Sequence, residues 1–338
     1  MSRIGPVSRS PRLRLRNLIH CSVLPLFAAA CLAMPRIARG QSSASLLIKP
    51  WEADQTIEDQ TAGYIFSAGH RLESENKFHL STIESSGRVR LFPGKEASPR
   101  FGYDLTLLNA HTNRPGFPSQ LLDVSVAGGA FVSKQNGWIT GVTLGLGYAG
   151  DEPFARGRAW YGRTDVLLAK EFSATDALGV GIDYDGHRTY APDIPLPGFA
   201  YSHLFDPKLQ AVIGFPASSI IWKPIEHLRI YGNYELFSDL DADISYEFVK
   251  HWTAFAAFET RRTAFWIQEL RDHHRLLYSQ RRVELGVRWQ PTEHLSFSLA
   301  GGYGFSTDFR NGWDYRHSTR YLYASDEPFV RFGAEFRF

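Results

Sequence analysis

The sequence predicts an all-β protein: a closed antiparallel transmembrane β-barrel of about 14 strands, with 12 and 16 as the alternatives. Three observations lead there. Apolar and polar residues alternate over one segment after another, the period of a strand whose two faces meet different environments. The connections between segments are alternately short and long. Beyond the first forty-odd residues, no apolar run approaches the ~18–20 residues a spanning helix needs.

The first forty residues stand apart. Arg3, Arg9, Arg12, Arg14 and Arg16 precede a mostly apolar stretch from Leu18 to Met34, and small residues follow near Ala38-Arg39-Gly40. This layout predicts a signal peptide over 1–40, a periplasmic lead-in over 41–58 and a single barrel domain over 59–338. The leader holds seven of the 37 Lys and Arg and none of the 35 Asp and Glu, leaving 30 basic against 35 acidic residues. The basicity of the whole chain therefore belongs to the leader and argues for no nucleic-acid partner. Cys21 and Cys31 also lie there, so the mature chain is expected to hold neither disulfides nor thiolate metal sites. Aromatic residues make up 14% of a chain that is slightly polar on average, as when half of every strand faces water.

The alternating segments begin near Gly63. Leu105 and Leu107 oppose Asp104 and Thr106; Val124 and Val126 oppose Asp123 and Ser125; Leu178, Val180 and Ile182 oppose Gly179, Gly181 and Asp183. The second half is cleaner. Ala242, Ile244, Tyr246 and Phe248 oppose Asp241, Asp243, Ser245 and Glu247, and Val283, Leu285, Val287 and Trp289 oppose Arg282, Glu284, Gly286 and Arg288. The last nine residues, Val330 to Phe338, are apolar at every even position and charged or glycine at every odd one. Strands are expected at 60–70, 78–92, 99–111, 119–133, 138–149, 158–172, 177–187, 208–223, 228–237, 240–249, 252–263, 280–290, 295–306 and 329–338. Pro216 sits inside 208–223. It cannot donate to a ladder, so it marks either a bulge or a break into two strands.

Short turns are expected at 134–137, 173–176, 224–227, 249–251 and 291–294, with longer loops near 71–77, 112–118, 150–158, 188–207, 264–279 and 307–327. Tight periplasmic turns and longer outer loops give such an order in outer-membrane barrels. Trp222-Lys223-Pro224-Ile225-Glu226-His227-Leu228 echoes Trp289-Gln290-Pro291-Thr292-Glu293-His294-Leu295. Both copies put Trp at a strand end, so Trp222, Trp289, Trp252 and Tyr231 are expected in an aromatic girdle at the lipid boundary, with Tyr234, Phe172 and Tyr161 as further members.

A soluble cylinder of this width would need an apolar lumen filled by some other element, and no helical plug is visible. With the charged faces inward, lipid accounts for the apolar faces, and closure satisfies the backbone. The leader, the alternating connections and the terminal Phe338 resemble bacterial outer-membrane β-barrel proteins. That resemblance implies outer-membrane lipid as a partner and a final strand, through Val330, Phe332, Phe336 and Phe338, that the barrel-assembly machinery reads. The stretch from Val212 to Pro224 is also similar to an uncharacterised family of such barrels, known only as a domain of unknown function.

The charged inner face is the one chemical feature with a physical role. Arg229, Glu235, Asp241, Asp243, Glu247, Arg282, Glu284, Arg288, Arg331, Glu335 and Arg337 are expected to line the lumen. They fit a porin-type channel for small polar solutes or, alternatively, a closed barrel whose charges pair and whose loops are presented outside. No catalytic residue, metal or cofactor is expected. Gly-x-Ser-x-Gly is absent, His79 with Ser81 and His203 with Ser202 are only neighbours, and Asp272-His273-His274 has no matching cluster. A lipid hydrolase is the distant third reading.

Overall fold

The computed structural model describes residues 55–66, 70–71, 77–92, 98–112, 114–235, 239–271 and 273–338; the expected signal peptide and most of the lead-in fall outside them. The strands in chain order are β1 (Ile57–Phe66), β2 (His70–Arg71), β3 (Lys77–Arg90), β4 (Arg100–Thr112), β5 (Gln120–Gln135), β6 (Trp138–Gly150), β7 (Trp160–Glu171), β8 (Asp176–Asp185) and β9 (Leu196–Asp206). They continue as β10 (Leu209–Phe215), β11 (Ala217–Trp222), β12 (Leu228–Glu235), β13 (Asp239–Val249), β14 (Trp252–Phe265), β15 (Arg275–Thr292), β16 (Leu295–Gly312), β17 (Ser318–Ala324) and β18 (Glu327–Arg337). Of these 18, β2 is a two-residue stub and β17 pairs only with the far end of β16, so 16 strands close the wall. All wall pairs are antiparallel. Closure comes from β18, which lies between β16 and β1 with Glu58 opposite Arg337 and Phe66 opposite Phe329.

The count is 16 rather than 14 for two local reasons. The expected loop 188–207 contains β9, whose inward residues Gly198, Ala200 and Ser202 are small and whose flank is proline-rich, which blurs the alternation. The chain also reverses at Phe215-Pro216, so the expected strand 208–223 is a hairpin, with Gln210 opposite Ile221 and Val212 opposite Ser219. Elsewhere the turn chemistry acts as read. Asn136 and Gly137 take φ of 51° and 77°, the left-handed pair that a two-residue hairpin turn requires. Connection lengths depart from strict alternation at two places. Residues 91–99 make a longer connection on the short-turn side, and the outer edge is low over β10, β11 and β12, which have 7, 6 and 8 residues.

Side chains sort by face. Leu285, Phe332 and Ile244 are 69%, 55% and 51% exposed, whereas Arg282, Asp243 and Arg331 on the same strands are 2%, 3% and 5% exposed. Trp222, Trp252 and Trp289 face outward at the ends of strands beside the short turns, and the rings of Trp252 and Trp289 lie 5.9 Å apart. From Trp289 a row of register partners runs through Phe297, Ala334, Thr61, Ser85, Leu105, Val124 and Tyr148 to Trp160, at the opposite rim. Eight steps of ~4.8 Å along a row inclined by ~40° rise about 25 Å, the height of the apolar band of an outer-membrane barrel. A closed wall with this belt outside and ionic residues inside stands in the bacterial outer membrane.

The cylinder is pinched. Trp266, just past β14, donates its N–H to the Ala149 carbonyl of β6 at 3.1 Å, and Arg261 of β14 reaches Thr106 of β4 at 2.7 Å. Along the wall, β15, β16, β18, β1, β3 and β4 separate β14 from β5 on one side, and β6 to β13 separate them on the other. The outer part of the interior is thus divided into two compartments, while nearer the periplasm Asp241 and Asp243 share a small space with Arg282 and Glu284.

Candidate functional site

The compartment walled by β15, β16, β18, β1, β3 and β4 is filled. Its outer part holds an apolar cluster that includes Tyr64, Phe66, Phe78, Leu108, Phe265 and Phe309. The expectation that apolar side chains only look outward therefore needs correction at this end. A plug exists, and it is built from strands. Above Ser306, whose φ is 53°, β16 leaves β18 and pairs with β17, and a register shift in β15 lies between Ser279 and Arg281. The outer ends of β14 and β15 fold inward, so both their faces are covered: Ala264, Phe265, Leu276 and Leu277 have no exposed surface.

A charged layer underlies the cluster. Arg282 of β15 donates to Glu84 of β3 at 3.0 Å, Arg261 approaches the same carboxylate at 3.5 Å, and the Arg282 guanidinium lies over the Tyr64 ring at 4.2 Å. Gln280 joins the layers, accepting from Arg282 Nε at 2.8 Å and donating to Thr307 at 2.9 Å. Arg331 lies 3.4 Å from Glu284. On the periplasmic side a cavity of about 50 Å³ remains, lined in part by Gln60, Asp104, Arg288 and Glu335.

The compartment walled by β6 to β13 is different. Its inward residues Asp165, Asp183, Asn233 and Asp241 keep part of their surface exposed, while Thr143, Gln210, Asp243 and Ser245 on the same wall are buried. Its outer end is covered by two loops, 186–195 and 313–317. Arg275 ties them together, donating to the carbonyls of His187 at 3.2 Å, Arg188 at 2.9 Å and Trp313 at 2.7 Å. His187 stacks on Tyr161 at 4.5 Å between ring centres, and its Nε2 lies 3.1 Å from both Asp123 and Thr263. Asp314 accepts from Arg316 and from the N–H of Ala191. Burial alone would raise the Asp314 carboxyl; the Arg316 guanidinium and the N–H groups of Ala191 and His317 outweigh it and hold it below the usual carboxylate range.

The residues expected to line the lumen fall into both compartments. Arg282, Glu284, Arg331, Arg288, Glu335 and Arg337 belong to the filled side, where Arg288 lies over the Phe255 ring and Arg337 pairs with Glu335. Arg229, Glu235, Asp241, Asp243 and Glu247 belong to the other, where Arg229 meets Asp243 at 3.4 Å and Glu247 meets His227 at 3.2 Å. Tyr231 is not in the girdle. It is 4% exposed and opposes Ile221 and Asp243 on the inward face, because it is odd-numbered in a strand whose even positions look out. Tyr161 is inward for the same kind of reason, while Phe172 is exposed as expected. Val330, Phe332, Phe336 and Phe338 lie on the outer face.

Sequence reasoning set Asp123 on the polar face of its segment without giving it a role, and passed over Glu84, His187 and Arg275. In β3 the outward residues His79, Ser81 and Ser85 are themselves polar, so Glu84 is not set off by its neighbours; His187 and Arg275 sit at loop margins, where no period applies. Ser202 and His203 are consecutive strand residues and point to opposite faces, and His203 instead meets Asp176 at 2.7 Å. His274 meets Asn311 at 2.8 Å, and Asp272 lies outside the described residues. Among the described residues no group of three or more His, Cys, Asp or Glu is placed to hold a metal.

The sequence matches the family described as Domain of unknown function (DUF6268) over residues 71–336, more than three quarters of the chain. The chain belongs to the DUF6268 family. No curated protein matches it. Solved structures similar to this DUF6268 barrel include a mutant of the TodX monoaromatic hydrocarbon channel, with a TM-score of 0.43 and 9% identity, covering 88% of this chain and 92% of that one. The toluene transporter TodX of Pseudomonas putida gives 0.38 at 10% identity, covering 91% and 93%. A FadL homologue of Pseudomonas aeruginosa gives 0.38 at 11% identity, covering 88% and 93%. At these identities the likeness is one of barrel architecture.

Proposed function

We propose that this DUF6268 barrel is a gated channel for small polar solutes, with its path through the compartment walled by β6 to β13. The observation that carries this reading is the partial exposure of the inward polar residues Asp165, Asp183, Asn233 and Asp241 beneath loops that cap them. A lumen that keeps water against ionic side chains favours polar solutes over apolar ones. Loops 186–195 and 313–317 are the gate, and Arg275, His187 and Asp314 are its fastenings. The filled compartment acts as the fixed half of the wall. The toluene and hydrocarbon named for the TodX structures are not the solutes proposed here, because the lining is charged.

The competing reading is a closed barrel that displays its loops, and the ion pairs of Glu84, Glu284 and Asp243 favour it. Planar-bilayer recording separates the two. The proposal expects brief, rare conductance steps from the intact chain and long openings once residues 313–317 are replaced by two glycines. A folded, heat-modifiable loop-shortened barrel that never conducts would overturn it.

A further inference from the structure

Four polar side chains stand on the lipid-facing surface, where their neighbours are apolar. Asp59 and Thr61 of β1, Ser85 of β3 and Tyr103 of β4 form one chain of hydrogen bonds: Thr61 to Ser85 at 2.8 Å, Ser85 to Tyr103 at 3.0 Å, and the Tyr103 hydroxyl to an Asp59 carboxylate oxygen. Thr61 and Ser85 occupy the middle of the inclined row that joins Trp289 to Trp160. Asp59 lies two residues nearer the periplasmic end, opposite Phe336, and so within the lower part of the belt.

Asp59 and Tyr103 are not on adjacent strands. Gly87 lies between them in register, and they meet over it because it has no side chain; a Cβ there would come within 2.6 Å of the Tyr103 ring and 2.8 Å of the carboxylate. Around the pair the wall is hollow. Ile57, Val89, Phe101, Val126, Leu144 and Leu146 line a depression of about 730 Å³, open to the bilayer. It lies on the outer side of the wall that the pinch involves, β4 to β6. The volume is in the range of small-molecule sites, ~300–1,000 Å³.

A carboxylate in an apolar belt is costly, and such residues find partners. Tyr103 donates to one of its oxygens; among the described residues the other accepts from none, and no Lys, Arg or His pairs with Asp59. The unmet need is for a cationic donor reaching the belt from the lipid side. We infer that this hollow binds, from the periplasmic leaflet, an amphiphile whose polar end is a primary ammonium. The ammonium donates to Asp59, and the apolar body lies against Phe101, Val126 and Leu144. An anionic head would face the Asp59 charge, and a quaternary head brings no N–H, so both bind worse.

Native mass spectrometry of the full chain tests this, with micelles loaded equally with phosphatidylethanolamine, phosphatidylcholine and phosphatidylglycerol. One charge-assisted hydrogen bond corresponds to about a tenfold preference for the ethanolamine lipid. Asp59→Asn removes that preference. Val126→Trp, which fills the hollow and leaves Asp59 in place, lowers retention of the same lipid and guards against a fold defect in the first variant. Equal retention of all three lipids by the intact chain, or a preference that survives Asp59→Asn, overturns the inference. So does a dimer that Asp59→Asn dissolves, because the occupant is then a second copy.

Discussion

Arg282 and Glu84 meet at 3.0 Å inside the barrel although β16, β18 and β1 lie between their strands in the wall. The pair is almost wholly shielded from solvent, and Arg261 shares the same carboxylate. Removing Glu84 leaves two guanidinium groups close together, with the Glu259 carboxylate 4.0 Å from Arg282 as a more distant partner. Glu84→Leu is expected to lower the folding free energy by about 3–5 kcal/mol, the usual consequence of orphaning a buried charge. Glu84→Leu combined with Arg282→Leu should recover a substantial part of that loss. Urea titration of the barrel in lipid vesicles, followed by gel mobility, gives both values.

Loop fastening should depend on acid. Asp314 is depressed in the folded chain, so its contribution is complete above the unfolded carboxyl value of ~3.9 and is lost as pH falls through the lower folded value. Protease cleavage within 313–317 should therefore be slow at pH 6 and faster below pH 4. Asp314→Asn should cleave at one rate across this range. An acid-independent rate in the unaltered chain would sever the loop from this carboxylate.

Selectivity bears on the lumen charges. Arg288 keeps part of its surface exposed and lies beside the small periplasmic cavity. If that cavity communicates with the conducting path, Arg288→Glu moves the reversal potential toward cation preference in a potassium chloride gradient. A conducting variant with an unchanged reversal potential would confine the path to the β6–β13 side, where Arg163→Glu becomes the informative substitution.

The girdle is testable by depth. Trp252 and Trp289 are register partners with stacked rings on the outer face. Both should be quenched most strongly by lipids brominated near the glycerol and weakly by those brominated at the chain end. Trp252→Ala is expected to cost about 0.5–1.5 kcal/mol beyond lost area, the worth of an aromatic pair.

How much of this was legible beforehand depended on how many environments each strand meets. β15 and β18 show lipid on one face and ionic partners on the other, and their period-two pattern placed Arg282, Glu284 and Arg331 on the opposite face from Leu285 and Phe332. β3 carries polar residues on both faces, and β9 carries small residues inside, so their patterns were weaker. The same parity sets Tyr231 on the inward face with Arg229 and Asn233; its expected place in the girdle rested on its being aromatic and not on parity.

The sequence alone determined an antiparallel cylinder with an apolar exterior, because alternation is a local property that each strand carries by itself. It also predicted the outward Trp residues beside the short turns, through residues adjacent in the chain. Only the tertiary structure decided that the lumen is pinched, that strand ends fold inward to plug one side, and that Glu84 lies against Arg282. The last of these joins residues 198 positions apart, and hydrophobic period says nothing about which inward faces meet across a closed wall. The same holds for Asp59 and Tyr103, which are brought together only by the register of three strands and the missing side chain of Gly87.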